Sequence, residues 1–357
     1  MFARLFHAWE HQLASVDTNR LVRPFEWGDD WLPPGAAGAM RGAAPDARVR
    51  AWVADALADP ETFFAAPLTR DYTFAPSAGE AARPGEEAGT LSFPSVLTTP
   101  FPVNDAVHAR WFPAEGDAAL TPRRHRGRAV VVLPQWNSDA EGHVGLARLL
   151  ARSGVSALRL SLPYHDARMP PDLLRADYIV SPNVTRTVQA CRQAVVDARR
   201  AVAWLAELGF ERVGILGTSL GSCLAMLTAA HEPRIRAQAL NHVSPWFADV
   251  VWRGLSTRHV RAGLDGHITL DDLRDLWAPI SPMTHLDRVA ATATLLVYAR
   301  WDLTFPPDLS RTLIDEFHRR GQQPEVRTLP CGHYTTGRAP FKFLDAWWMI
   351  RFLRKHL

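Results

Sequence analysis

The residues best suited to chemistry centre on a serine that stands between two glycines. Ser219 lies in the segment 217–221, Gly-Thr-Ser-Leu-Gly, which follows the apolar run 212–216 and precedes an apolar helical stretch. A serine at a tight strand-to-helix turn has an exposed hydroxyl, and the residues two places away on each side must have almost no side chain. The pattern therefore predicts a nucleophilic serine, with a tight glycine turn in an inert protein as the alternative.

A serine hydroxyl becomes a good nucleophile only when a base removes its proton. His333 follows the apolar run 326–329, and Gly332 before it permits a sharp turn. His242 also ends an apolar run and is the rival for this role. Where the serine lies at a strand-to-helix turn of this type, the chain order is serine, acid, histidine. Because His242 precedes the candidate acid, we expect His333 to be the general base.

A third residue should hold the imidazole in one tautomer and stabilise its positive charge. Asp302 lies in the first turn after the apolar run 294–298, and the prolines that follow are suited to starting a helix. Asp249 is the rival, since the acid can also follow the preceding strand. We expect Asp302 to be the carboxylate that orients His333.

The oxyanion that forms during acyl transfer needs two convergent N–H donors. The backbone N–H of Leu220, directly after the serine, is the first predicted donor. The second is expected in the segment 134–138, at the N–H of Trp136, with Gln135 as second choice.

Short apolar runs alternate with helical stretches and must position these residues. The runs occupy residues 106–112, 129–133, 157–162, 212–216, 237–243, 294–298 and 326–329. The helical stretches occupy about 141–153, 184–208, 220–231, 307–320 and 341–355. This alternation predicts an α/β fold with a mostly parallel sheet covered by helices on both faces. No helix separates the strands expected within 92–112, so an antiparallel hairpin could open the sheet.

The chain divides by pattern into an N-terminal extension, 1–90, and a main domain, 91–357. Residues 33–48 and 75–90 have loop composition. The segment 246–285 is a small helical insertion or a plain crossover with a surface loop. Within residues 1–32, five apolar residues fall on one face of a predicted helix: Phe2, Leu5, Phe6, Trp9 and Leu13. We expect this face to pack on the main domain, with a position on a membrane surface as the alternative.

With these three residues in order, residues 91–357 resemble the α/β-hydrolase superfamily of serine esterases and lipases. The resemblance implies an eight-stranded, mostly parallel sheet and a two-step acyl transfer through an acyl-enzyme, without a cofactor. The oxyanion loop departs from the common pattern, because many members carry a His-Gly pair where this chain has Pro134-Gln135. The side-chain amide of Gln135 is therefore a further candidate for the second donor.

We expect a small-molecule carboxylic ester as the substrate. A thioesterase or peptidase on the same three residues, or a non-catalytic binding protein, are the alternatives. Aromatic residues on loops after strand ends predict a partly apolar substrate pocket, namely Tyr164, Trp246, Phe247 and Trp301.

Composition favours a cytoplasmic globular protein. The net charge is only +3, and the basic run 123–128 lacks interleaved aromatic residues, so we expect a solvated loop and no nucleic-acid partner. Cys191, Cys223 and Cys331 form no disulfide framework. No secretory signal, membrane span or metal-binding motif is predicted, and an oligomer is possible.

Overall fold

The computed structural model describes residues 2–35, 42–68, 70–77, 83–118, 120 and 126–357. Residues 123–125 of the basic run, and 36–41 and 78–82 of the expected loops, lie outside this part. Nine strands of the described chain form one sheet: β1 (Thr73–Pro76), β2 (Gly89–Pro94), β3 (Ala106–Phe112), β4 (Arg126–Leu133), β5 (Val155–Leu160), β6 (Phe210–Thr218), β7 (Ile235–Asn241), β8 (Ala293–Ala299) and β9 (Glu325–Leu329).

The sheet is parallel in its centre and on one side. Its strand order is β1-β2-β3-β5-β4-β6-β7-β8-β9. Six strands, β4 to β9, are parallel to one another. Beyond β5 the sheet continues with β3, β2 and β1, each antiparallel to its neighbour. The resemblance to α/β-hydrolases implied eight strands. The ninth is β1, a four-residue edge strand that partly overlaps the expected loop 75–90.

The central strands are apolar on both faces because helices cover both. In β4, Val131 and Leu133 join the core on one face, while Val130 and Val132 join the core on the other. Successive side chains of a strand point to opposite faces, so a strand buried on both sides is a near-continuous apolar run. This is why the apolar runs predicted most strands to within a few residues.

The helices lie between the strands and at both ends of the chain. Their bounds are α1 (Phe2–Ala14), α2 (Pro45–Ala58), α3 (Pro60–Phe63), α4 (Val144–Arg152), α5 (Val184–Glu207), α6 (Leu220–His231), α7 (Phe247–Arg253), α8 (Arg258–Leu264), α9 (Leu270–Leu276), α10 (Pro307–Arg319) and α11 (Phe341–His356). Helix α2 begins inside the expected loop 33–48, with Pro45 at its first position, where proline suits a helix. Helices α7, α8 and α9 occupy the segment between β7 and β8.

Helix α1 packs on the loops that follow β8 and β9. The ring of Phe6 stacks on Trp301 with 4.5 Å between centroids and meets the edge of Phe341 at 6.0 Å. Phe2 and Leu5, on the same predicted apolar face, stay exposed. Within the described part of the chain, no helix has the length and apolar character to span a membrane. The three cysteines are buried thiols without a disulfide.

Candidate active site

Ser219 occupies the turn between β6 and α6 in a strained conformation. Its backbone has φ 57° and ψ −121°, a region that residues with a side chain rarely adopt. A Cβ on Gly217 would lie 2.1 Å from the carbonyl oxygen of Gly221, and a Cβ on Gly221 would lie 2.3 Å from that of Leu133. Both glycines are therefore required by close backbone packing, as the spacing predicted.

The structure brings Ser219, His333 and Asp302 into one hydrogen-bonded chain. The Ser219 hydroxyl lies 3.1 Å from Nε2 of His333, and Nδ1 of His333 lies 3.0 Å from Oδ2 of Asp302. With Nδ1–H donated to the carboxylate, Nε2 has a free lone pair facing the serine. The arrangement lets His333 accept the serine proton while Asp302 stabilises the resulting imidazolium.

Asp302 lies in the first turn after β8 and its carboxylate accepts four hydrogen bonds. Oδ1 receives the backbone N–H groups of Thr304 at 2.8 Å and Phe305 at 2.7 Å. Oδ2 receives Nδ1–H of His333 and also that of His242, at 2.7 Å. The rival base is thus present at the site, but on the carboxylate rather than on the serine.

The rival acid lies outside this network. Asp249 forms a two-point ion pair with Arg274, with distances of 2.6 and 2.8 Å. Its carboxylate serves to join α7 to α9.

Burial and mutual charge effects shift the pKa values of Asp302, His333 and His242. Burial opposes ionisation of Asp302, but the positive charge of His333 and the hydrogen bonds from both histidines hold the pKa of Asp302 far below its ordinary value. Burial lowers the pKa of His333, yet the Asp302 charge and hydrogen bond and the more distant Glu10 raise that pKa overall. Burial and the His333 charge lower the pKa of His242.

The loop that carries His333 is held by Glu10 of α1. The Glu10 carboxylate is fully buried and accepts the backbone N–H groups of Tyr334 and Thr335, each at 2.9 Å. A Cβ on Gly332 would lie 2.4 Å from Cδ of Glu10, so the glycine is needed for this close approach as well. Sequence reasoning missed Glu10. The available signal was a single acidic residue in an otherwise aromatic and basic first helix.

The predicted oxyanion donors lie at the same cavity as Ser219. Leu220 is the first residue of α6, and Gln135 and Trp136 lie on the loop after β4. The indole N–H of Trp136 donates to the carbonyl of Ala176 at 2.8 Å, which fixes this loop. The next N–H, that of Asn137, is donated to His165 at 2.9 Å and is therefore occupied. Leu220 with Trp136 or Gln135 remains the prediction for the oxyanion hole.

A cavity of about 1020 Å³ opens beside the serine, and two of the four predicted pocket residues line it. Trp246 and Phe247 line it. Tyr164 does not, because its ring is turned into the core, at 6.2 Å from Phe101 and 5.5 Å from Tyr178. Trp301 does not line it either, since Phe6 of α1 stacks on its ring.

Three donor atoms of the site are close enough to surround a metal ion. They belong to His242, Asp302 and His333 and lie within 4.8 Å of one another. Their positions are explained by the two hydrogen bonds to Oδ2 of Asp302. A cation placed there would take Nδ1 of His333 away from the carboxylate.

Comparison with known proteins supports this fold. The family model of the prolyl oligopeptidase family matches residues 189–356, which contain Ser219, Asp302 and His333. No curated protein matches the sequence.

Solved structures of hydrolases share the fold at low sequence identity. Acylaminoacyl peptidase of Pyrococcus horikoshii is 12% identical, with a TM-score of 0.59 over 80% of this chain and 42% of that chain. Acetyl xylan esterase 1 of Thermoanaerobacterium sp. is 14% identical, with a TM-score of 0.58 over 85% of this chain and 93% of the esterase. Acetyl xylan esterase of Paenibacillus sp. R4 is 14% identical, with a TM-score of 0.59 over 92% and 98%. This chain thus spans about two fifths of the peptidase and nearly all of the second esterase.

The sheet, the strained serine turn and these matches show that the chain has the α/β-hydrolase fold. Its site has the arrangement of a serine hydrolase.

Proposed function

We propose that the chain is a carboxylic ester hydrolase that works through an acyl-enzyme on Ser219. The observation that carries the proposal is the hydrogen-bonded chain from Ser219 through His333 to Asp302 at the wall of a large cavity. A serine that is strained, exposed to a cavity and bonded to a base has the features of a nucleophile.

The reaction follows from these contacts. His333 accepts the proton of Ser219 as its oxygen attacks the ester carbonyl, and the N–H of Leu220 with that of Trp136 or Gln135 stabilises the oxyanion. Imidazolium His333 then donates the proton to the departing alkoxide, which leaves as an alcohol. Water, activated by His333, attacks the acyl-serine and releases the acid.

The lining of the cavity favours an ester with an apolar acyl or aryl group. Apolar side chains from four parts of the chain reach it, from α4, the loop before α5, α7 and α11: Leu146, Leu149, Leu174, Phe247, Val250, Val251, Phe343 and Met349. Such walls bind hydrocarbon by removing it from water. The overlap with two acetyl xylan esterases, over 85% and 92% of this chain, is in keeping with an esterase. Three buried unpaired thiols are in keeping with a cytoplasmic location.

A peptidase is the second candidate, because the matching family model is that of the prolyl oligopeptidase family. The same three residues would attack an amide, with His333 protonating the leaving amine. Amides and esters therefore need a direct comparison on matched acyl groups.

The test is hydrolysis of p-nitrophenyl esters from acetyl to palmitoyl, alongside p-nitroanilides and thioesters of the same acids. The proteins are the wild type, Ser219→Ala and, as a control, Ser153→Ala, whose serine follows α4 directly and does not line the cavity. We expect the wild type and Ser153→Ala to cleave esters at equal rates and Ser219→Ala to lose ~10⁴-fold in kcat.

Faster turnover of the anilides than of the esters would instead identify a peptidase, and faster thioester turnover a thioesterase. Equal trace rates in folded wild type and Ser219→Ala, together with no labelling of Ser219 by a fluorophosphonate, would identify a non-catalytic binding protein.

A further inference from the structure

A second histidine shares the carboxylate of the proposed catalytic site, and the reaction outlined above gives it no role. His242 follows β7, is 2% exposed, and lines the same cavity as Ser219. Its ring centroid lies 4.2 Å from that of His333. The inference drawn from it rests on the proposed function.

The backbone of His242 is held in place from both sides. Its N–H donates to the carbonyl of Val297 at 2.9 Å, and its carbonyl accepts the hydroxyl of Ser222 at 2.7 Å. Its φ of 58° lies in the left-handed region, which a histidine occupies only when its surroundings compensate for the strain. The conformation aims the imidazole at Asp302.

Both histidines bind one oxygen of Asp302. The distance from Nδ1 to Oδ2 is 2.7 Å for His242 and 3.0 Å for His333, so the shorter bond belongs to His242. Two donors on one carboxylate oxygen compete for its charge, and each bond is weaker than it would be alone. The other oxygen is held by the N–H groups of Thr304 and Phe305, so the carboxylate is fixed at both ends.

His242 must carry its proton on Nδ1, because an ionised carboxylate can only accept. Burial and the charge of His333 lower the pKa of His242, which favours its neutral form. Its Nε2 receives no hydrogen bond from any residue that the structure describes.

We propose that His242 is a positioning residue, which holds Oδ2 of Asp302 toward His333 and competes with His333 for that oxygen. The consequence is a base that releases its proton more readily. Without His242, Oδ2 would bind the imidazolium of His333 more strongly, and His333 would stay protonated to a higher pH.

The groups around His333 define what else could move its titration. Those that face it are the hydroxyl of Ser219, the carboxylates of Asp302 and Glu10, the ring of Phe305, which stacks at 5.4 Å, and the side chain of Tyr334. All are retained when only His242 is replaced.

Two substitutions separate the donor from the bulk of the side chain. His242→Leu fills most of the volume without a donor. His242→Asn places an amide N–H near the position of Nδ1 and suits the left-handed backbone. The pH dependence of kcat/KM on a p-nitrophenyl ester is measured for both, and the titration of the His333 imidazole is followed by NMR.

For His242→Leu, we expect the midpoint of the acid limb of the kcat/KM profile to rise by roughly half a pH unit to one unit. We also expect kcat at the plateau to be about tenfold lower than in the wild type. His242→Asn should keep the limb of the wild type. Thermal unfolding of both variants reports backbone strain separately, since strain lowers stability without moving the limb.

An unchanged limb and His333 titration in both variants would overturn the proposal, and so would an equal shift in both, which would mark a packing effect. Because the NMR titration needs no turnover, it tests the His242 inference even when no ester is cleaved, and failure of the esterase proposal is seen with the wild type alone.

Discussion

Replacement of Glu10 tests whether the N-terminal helix is part of the machinery that holds the base. In Glu10→Ala, the backbone N–H groups of Tyr334 and Thr335 lose their acceptor inside the protein. A buried N–H without a partner costs roughly 1–3 kcal/mol. Two such groups, with some entry of water into the vacated space, give an expected loss of about 2–4 kcal/mol in the free energy of unfolding.

The same change should reduce catalysis, because the loop that carries His333 loses its support. A displacement of about 1 Å in a catalytic group lowers rate by up to ~10²-fold, so we expect kcat for a p-nitrophenyl ester to fall about 10- to 100-fold. Urea unfolding gives the stability and initial rates give kcat. Gln12→Ala is the matched control, since Gln12 is exposed on the same helix and should change stability by less than about 0.5 kcal/mol.

A Glu10→Ala variant with the stability and kcat of the wild type would refute this reasoning. It would show that α1 merely lies on the loop. A loss of stability at full kcat would show that Glu10 anchors the helix without positioning His333.

Two further predictions concern pH. Since the pKa of His333 is raised above its ordinary value of about 6.5 and the neutral imidazole is the active form, kcat/KM on an ester should fall as pH drops through a midpoint above about 6.5; a midpoint below about 6 would contradict the charge effect of Asp302. Burial raises the pKa of Asp345 to about 7 against the hydrogen bond that Asn241 donates. Because the unfolded chain ionises this carboxyl at a lower pH, the folded state loses stability, by up to about 3 kcal/mol, as the pH rises from about 5 to about 8. Asp345→Asn should therefore raise the unfolding temperature more at about pH 8 than at about pH 5, and an equal change at both would show that Asp345 titrates normally.

Local chemistry explains why much of the fold was predictable. Strands buried on both faces must be almost wholly apolar, and the run at 294–298 matches β8, which is buried at most positions, to within one residue at each end. The edge strand β1 escaped because four residues, exposed at most positions, carry too little pattern to separate them from a loop.

The core of the site was predictable for a related reason. The turn at Ser219 tolerates only glycine two residues away on each side, so its steric requirement is written into five consecutive residues. Asp302 and His333 each follow a strand, and the carboxyl ends of parallel strands meet at one edge of a sheet, so strand position was sufficient to bring them together.

The sequence by itself determined an α/β fold, the serine turn and the three residues that meet at the strand ends, because each depends on steric and apolar patterns within a few residues. Only the tertiary structure decided that His242 shares Asp302 across 60 residues and that Glu10 holds the His333 loop across 325. It also decided that Trp301 lies under α1 rather than in the cavity. These contacts depend on how distant elements pack, and packing is set by the summed burial of many side chains, which no local pattern records.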